Sequence, residues 1–411
     1  MRQGEVTMKE LYPRRGLPNI IQKLENGDTV TIVYFGGSNT RSEGYRVMTA
    51  DWLREQYPQA EIRTVNAGIN GTGSDLGCAR LETDVLRHHP DLVFVEFVGN
   101  DGGDPESKAR IEGIVRQIRK RSRFTDILFV YTVKERDVAG FQSGEYQKGA
   151  IMQEEVADYY GIPSIHLGVE VCRLVAEGKL VFTSREDLSV PGAVIFTHDS
   201  IHPTIPEGHQ IYTDTITRSF EIIRELRSHP GRQVHHLPRH PLVPANPWEY
   251  ATMLSPDSLP NTHFTAGWSY LTPEESAVVR EYNWLFPGLW QAADPGEAVT
   301  VQFEGTRIGL FDIGGPDSGR LKVSVDGGEP FIIDRFTHYN DHNRNQYVFL
   351  PELPNGKHTV RFEIDHEKTD KAAVFEAVGN ERSIEHIRQH PEWYEQTVIR
   401  LGKLLLVQPP L

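Results

Sequence analysis

The stretch TIVYFGGSNT, residues 31–40, decides how the rest of the chain is read. Residues 30–35 form an apolar, β-branched run of strand length that stops at Gly36-Gly37, and Ser38 follows before a helix-like segment. A buried strand that breaks at two glycines lifts the next side chain to the carboxyl edge of a sheet, where α/β folds carry their chemistry. A glycine turn followed by a serine helix cap has the same local signature. Partners at other strand ends separate the two readings.

Upstream, residues 17–24 (LPNIIQKL) have the pattern of a short amphipathic helix, turned by Glu25-Asn26-Gly27 into the first strand. Downstream, Tyr45, Met48, Trp52 and Leu53 recur at helical spacing. Residues 62–66 read as a second strand ending in AGINGTGS, and residues 92–98, LVFVEFV, as a central strand covered on both faces. That strand ends in Gly99-Asn100-Asp101. Strands follow at 127–133 and 162–166, each after a helical pattern, so the alternation predicts right-handed crossovers and a parallel sheet. The alternation then fails: residues 180–197 read as a loop or small hairpin, followed by HDSIHPT and a closing helix over 207–226.

Residues 229–247 are dense in proline and histidine and read as an ordered linker. His235, His236 and His240 lack the paired Cys or carboxylate spacing of a metal site. Beyond Trp248, short β-rich runs separated by Gly, Pro and Asn turns predict an antiparallel sandwich of jelly-roll type. Trp248, Trp268, Trp284 and Trp290 interleave there with Tyr250, Tyr270, Tyr282, Phe264 and Phe286. Rings can stack on sugar faces, but core packing is their commoner fate. Residues 383–407 have a helical pattern broken at Pro391. The expected organisation is a catalytic domain over 1–228, a linker over 229–247, a sandwich over 248–380 and a helical tail over 381–411.

At 411 residues the chain is too long for one ordinary core, and 38% hydrophobic with 24% charged residues marks a soluble globular protein. A formal charge of −14 argues against nucleic acid or an anionic membrane as partner, and against a polyanionic substrate unless a local basic pocket overrides it. No apolar run has membrane-spanning length, and the first residues lack a signal peptide's apolar core. With only Cys78 and Cys172, this favours a reducing cytoplasm.

Three strand ends thus carry polar or glycine-rich motifs on one sheet edge, and Asp199-x-x-His202 precedes the last helix. Ester hydrolysis needs a nucleophile, a base, a group orienting that base, and donors for the oxyanion. Ser38 fits the nucleophile and His202 the base, then the acid toward the leaving alcohol. Asp199 can reach the far imidazole nitrogen. The N–H groups of Ser38 and Gly68 and the Asn100 side-chain amide fit the oxyanion donors. Asp101 reads as a cap with no catalytic role. His198 and His209 read as loop histidines, His198 near enough to line the pocket.

The ordered set resembles the SGNH (GDSL-like) hydrolase family over about residues 17–228. Its members carry a serine in a glycine turn, a glycine after strand two, a Gly-x-Asn-Asp-like motif after strand three, and Asp-x-x-His near the end. The resemblance implies a flavodoxin-like three-layer α/β sandwich with a parallel sheet, and the same roles for Ser38, Gly68, Asn100, Asp199 and His202. One departure is Gly37, where the family usually has Asp. Gly-Gly-Ser versions, with an upstream LPN…L.NG…V segment like that at residues 17–30, occur in the branch that resembles carbohydrate acetylesterases. The sequence therefore predicts a serine esterase that deacetylates oligosaccharides or a small-molecule ester, with no metal or organic cofactor implied. A homo-oligomer is the base-rate expectation for a soluble enzyme of this size. Rival readings are a lipid or aryl esterase, an O-acyltransferase with the same triad, and a non-catalytic glycan-binding protein.

Overall fold

The runs that read as strands form one sheet in the computed structural model, which describes residues 8–184, 193–227 and 231–410. Its strands are β1 (Leu11–Tyr12), β2 (Thr29–Gly36), β3 (Glu61–Gly68), β4 (Leu92–Glu96), β5 (Asp126–Tyr131) and β6 (Ser164–His166). They lie in the order β1-β6-β5-β4-β2-β3. Neighbours from β2 to β6 pair in parallel, and β1 adds antiparallel to the β6 edge. β2 sits between β3 and β4, so the path of the chain reverses there. This is the flavodoxin-like order, and a crevice opens where the loops after β2 and β4 diverge. Ser38 and Asn100 lie on those two loops.

Every residue of β4 and β5 is buried, as a sheet covered on both faces requires. On one face Ile32, Tyr34, Leu92, Phe94, Leu128 and Val130 share a core with helices Pro18–Asn26, Tyr45–Gln56, Leu167–Ala176 and Glu207–Glu225. On the other, the Phe35 ring meets Phe97 edge-on at 5.0 Å and carries the Arg80 guanidinium of helix Ser74–Asp84 at 4.4 Å. Helices Ser107–Arg121 and Lys148–Tyr160 pack on each other beyond it. The first helix has Pro18 at its first turn and stops at Gly27, whose φ of 77° closes it in the left-handed region.

The region expected as a loop or hairpin instead holds two short strands, β7 (Leu180–Thr183) and β8 (Val194–Thr197), paired in parallel. A tight hairpin can only give an antiparallel pair. Part of that region, residues 185–192, lies outside the described residues.

Between Tyr250 and Ala251 the chain divides into two compact units. Where described, the stretch read as a linker is bound along the first unit. The His235 backbone N–H donates to the Arg123 carbonyl (2.8 Å), Asn246 Nδ2 to the Ala109 carbonyl (2.7 Å), and Arg116 Nη1 to the Pro238 carbonyl (3.1 Å). Trp248 is buried against Gly113, where an added Cβ would lie 2.8 Å from the tryptophan Cβ. It belongs to the first unit.

The second unit is a sandwich of two antiparallel sheets. Thr262–Phe264, Ala298–Gly305, Gly356–Ile364, Arg320–Val325 and Phe331–Asp334 form one. Ser269–Leu271, Leu289–Ala292, Ile399–Val407, Arg307–Gly314 and Arg344–Phe349 form the other, with Ala251–Leu254 also paired to Ile399–Val407. Val301, Val323 and Phe362 from the first meet Leu310, Leu401 and Leu404 from the second in a single core.

The tail corrects the sequence reading. Helix Glu381–Gln389 and the turn Pro391–Tyr394 are present, but Ile399–Val407 is a strand inside the second sheet. All of its residues except Lys403 are buried, and a short apolar run such as Leu404–Val407 reads equally as buried helix or central strand. The tryptophans mostly pack: Trp268 is buried, and Phe264 stacks on Trp290 at 4.1 Å. Trp284 and Tyr270 are exposed.

Candidate active site

Ser38 opens the four-residue helix Ser38–Arg41 directly after β2. The two glycines before it are demanded by close approach. A Cβ on Gly36 would lie 2.5 Å from the Glu96 carbonyl oxygen, and one on Gly37 would lie 2.4 Å from Asn100 Oδ1. That second approach brings Asn100, on the short helix Val98–Asp101, against the serine turn.

His202 Nε2 lies 2.7 Å from Ser38 Oγ, and His202 Nδ1 lies 2.6 Å from Asp199 Oδ2. A carboxylate at Nδ1 fixes the proton there, which leaves Nε2 to accept from the serine hydroxyl. The other carboxylate oxygen accepts the backbone N–H groups of Ile201 (3.0 Å) and His202 (2.8 Å). Burial pushes the Asp199 carboxyl up, but its bonds from the His202 ring and from those two N–H groups hold it below the usual value. Both side chains are open to solvent, His202 44% and Asp199 53% exposed.

The loop carrying Asp199 and His202 is clamped from outside. Ser200 sits at φ +70°, a left-handed conformation that costs a non-glycine residue about 1 kcal/mol or more. Its N–H donates to Thr197 Oγ1 (2.9 Å) and its hydroxyl to Glu135 Oε2 (2.8 Å). Glu135 returns its own N–H to the Ser200 carbonyl (3.0 Å). The two residues thus tie the loop to the segment after β5.

Beneath the serine lie groups that carry no motif. Glu96, the buried last residue of β4, accepts from Thr40 Oγ1 (3.0 Å) and Thr132 Oγ1 (2.9 Å), and burial pushes its carboxyl up to about 7. Fully buried Arg80 donates to the carbonyls of Gly36 (3.0 Å) and Ala67 (2.7 Å), holding the ends of β2 and β3 together. Sequence reasoning missed all three of Glu135, Glu96 and Arg80. The single signal for Arg80 was a charge at an otherwise apolar helix position.

Gly68 departs from expectation. It is buried in register with Gly36, and its N–H donates to Asn66 Oδ1 at 3.0 Å. That donor is therefore spent inside its own strand end and is not offered to a ligand. Asn66 Nδ2 in turn donates to the Arg41 carbonyl (3.0 Å). Three residues on, Gly71 is exposed at φ +70°, in a turn closed by Thr72 Oγ1 donating to the Ile69 carbonyl (2.8 Å).

The remaining candidates serve the fold. Asp101 accepts the Ser74 N–H (2.8 Å) at the start of helix Ser74–Asp84, and burial lifts it to about 7. His209 Nδ1 accepts the Tyr45 N–H (3.1 Å), and its Nε2 lies 3.1 Å from Ser42 Oγ. Burial first, then the charge of His202, pushes it down to about 4, so it stays neutral and structural. His198 is exposed, with Nδ1 3.2 Å from Ser184 Oγ. Among the described residues no three His, Cys, Asp or Glu side chains group as metal ligands, and no helix is long and apolar enough to cross a membrane.

Comparison with known proteins agrees with this architecture. The chain is similar to Thioesterase 1/protease 1/lysophospholipase L1 of Escherichia coli K12, 37% identical over 92 residues, or 21% of this chain and 43% of that protein. The chain thus spans less than half the length of that relative. In three dimensions it resembles a two-domain esterase active on acetylated mannans, solved alone and with mannopentaose. The TM-score is 0.72 over 95% of this chain and 94% of that one, at 21% identity with mannopentaose and 19% without. At that identity the likeness establishes the fold. Residues 27–211, which hold Ser38, Asn100, Asp199 and His202, match the GDSL-like Lipase/Acylhydrolase family.

Proposed function

We propose that this chain is a serine esterase that removes acetyl groups from carbohydrate hydroxyls, with water as the second acyl acceptor. The observation that carries the reading is the unbroken hydrogen-bond chain from Ser38 through His202 to Asp199, at 2.7 and 2.6 Å, on the crevice edge of the sheet. Ser38 Oγ attacks the ester carbonyl while its proton passes to His202 Nε2. Asp199 stabilises the imidazolium that forms and keeps the ring in place. The tetrahedral intermediate collapses as His202 returns the proton to the departing sugar oxygen, leaving acetyl-Ser38. Water, deprotonated by the same nitrogen, then releases acetate.

The developing oxyanion takes the Ser38 N–H and the Asn100 side-chain amide. The third donor is the Gly71 N–H in the exposed turn after β3, in place of the occupied Gly68 N–H. Acetate and a sugar hydroxyl need no metal or organic cofactor in this sequence of steps. The substrate class draws support from the two-domain esterase active on acetylated mannans. The buried free thiols of Cys78 and Cys172 support a reducing, cytoplasmic setting.

Acetate release from a panel of acetylated oligosaccharides, beside p-nitrophenyl acetate and butyrate, tests the reading in the wild type and Ser38→Ala. Serine-dependent release from sugars is expected. Turnover of butyrate or acyl-lipid esters without the sugars would move the substrate to the class named by the E. coli relative.

A further inference from the structure

We propose that a basic cleft beside the oxyanion-side loop binds a carboxylate carried by the substrate, so that the preferred ester is an O-acetylated oligosaccharide containing uronic acid. The inference rests on the esterase reading above and narrows its substrate. The cleft lies over the ends of β4 and β5, lined by Gly99, Gly102, Lys134, Arg136, Gln147 and Lys148 among others.

Both of its walls continue into the catalytic geometry. Gly99 immediately precedes Asn100, and a Cβ there would lie 3.6 Å from Lys134 Cε, so the lysine stem runs against the backbone that presents Asn100. Next to Lys134, Glu135 holds the Asp199–His202 loop through Ser200. The cleft thus meets the turn that presents Asn100 through Gly99 and the segment that holds the His202 loop through Lys134.

The charges in the cleft are unbalanced. Lys134, Arg136 and Lys148 face two acids, Asp137 and Glu145. Asp137 is largely engaged, accepting the Lys134 backbone N–H (3.0 Å) and Gln147 Nε2 (2.7 Å), and Arg136 Nε stands 4.0 Å from it. Glu145 is exposed at the rim. Among the described residues Lys134 and Lys148 form no ion pair. Lys134 is half-buried, and burial first, then Arg136, lowers its pKa against the opposing pull of Asp137 and Glu96. A concave positive surface on a chain of net charge −14 selects one anionic group and repels a polyanion.

The test compares kcat/KM for an O-acetylated glucuronic-acid-containing oligosaccharide and an O-acetylated neutral manno-oligosaccharide, at roughly 0.02 M and 0.5 M salt. The expected preference for the acidic ester is about tenfold at low salt and shrinks at high salt, as charge-assisted contacts of this kind imply. Lys148→Gln and Arg136→Gln should each reduce that ratio by about threefold to tenfold, through KM for the acidic substrate. Lys179→Gln, an equal charge change on an exposed residue outside the cleft, should keep the ratio. A ratio near one, or one that moves equally in all three variants, overturns the cleft.

Calorimetric binding of a non-acetylated glucuronic-acid oligosaccharide to Ser38→Ala protein separates the two claims. Salt-sensitive binding lost in the added Lys148→Gln/Arg136→Gln background, with no acetate released by wild type from any ester, would overturn the esterase and keep the cleft. Acetate release from neutral sugars without such binding would do the reverse.

Discussion

The two ends of the parallel sheet each hold a histidine against an aspartate, at nearly the same distance. At the carboxyl edge His202 lies 2.6 Å from Asp199; at the amino edge His235 lies 2.5 Å from Asp126. Everything else about the pairs differs. Asp126 is fully buried, its second oxygen accepts the N–H groups of Asn19 (2.9 Å) and Ile20 (2.7 Å) in the first turn of helix Pro18–Asn26, and Asn19 Nδ2 stands 3.3 Å from the His235 ring. Burial pushes the Asp126 carboxyl up, whereas hydrogen bonds hold that of Asp199 down. The far nitrogen of His202 reaches a serine at the open edge, while His235 is closed in on all sides. On the mechanism proposed above, a histidine–carboxylate pair becomes a catalytic element only where its second nitrogen faces a reactive group that solvent and substrate can reach. Elsewhere it is a fastener, here for the proline- and histidine-rich stretch.

The largest effect should come from removing the serine that distinguishes the two ends. Ser38→Ala is expected to lower kcat on p-nitrophenyl acetate by at least about 10⁴-fold with an unchanged circular dichroism spectrum. Turnover within a hundredfold of wild type would reduce the carboxyl-edge pair to a fastener as well. Asn100→Ala should cost roughly 10²–10³-fold in kcat, the loss of one oxyanion donor, and a change confined to KM would remove it from that role. His235→Ala should leave kcat/KM within about threefold while unfolding at lower denaturant, by roughly 3 kcal/mol. An activity loss parallel to that of His202→Ala would break the comparison.

The smallest effect lies in pH dependence, where the two carboxyls have opposite signs. The folded Asp126 keeps its proton to higher pH than the unfolded one. Its linkage therefore lowers stability as pH rises above the ordinary carboxylate range near 4. Asp126→Asn should flatten that decline in urea titrations from about pH 4 to 8. Asp199, with its carboxyl depressed, contributes above the ordinary value and loses that contribution as pH falls through the folded pKa. Asp199→Asn should change the acid limb alone. A steeper decline in Asp126→Asn would reverse the assigned sign.

Much of this was readable from the chain. Apolar runs of strand length ending in glycine placed β2, β3 and β4 and put Ser38 and Asn100 on one edge, because burial on both faces leaves a simple pattern. Asp199 and His202 were readable because they stand three positions apart on one loop. The strand Ile399–Val407 was not, since Leu404–Val407 is a short unbroken apolar run with neither a helical nor an alternating period, and Arg400 and Lys403 interrupt what precedes it. Arg80, Glu96 and Glu135 were not because their partners are carbonyls and hydroxyls brought from distant segments, and no local spacing marks such contacts. The Gly68 reading fixed the right strand end but could not tell which N–H a neighbouring asparagine would occupy.

Gly37 bears on how such an enzyme can be altered. An ordinary side chain at that position would begin 2.4 Å from Asn100 Oδ1, well inside contact distance, so any larger residue there needs the end of the Asn100 side chain to move. Residues 37 and 100 form a coupled pair: enlarging the first obliges the second to turn away or shrink. An engineering library that varies both positions together lets the asparagine adjust to each new neighbour, which one that varies position 37 alone does not.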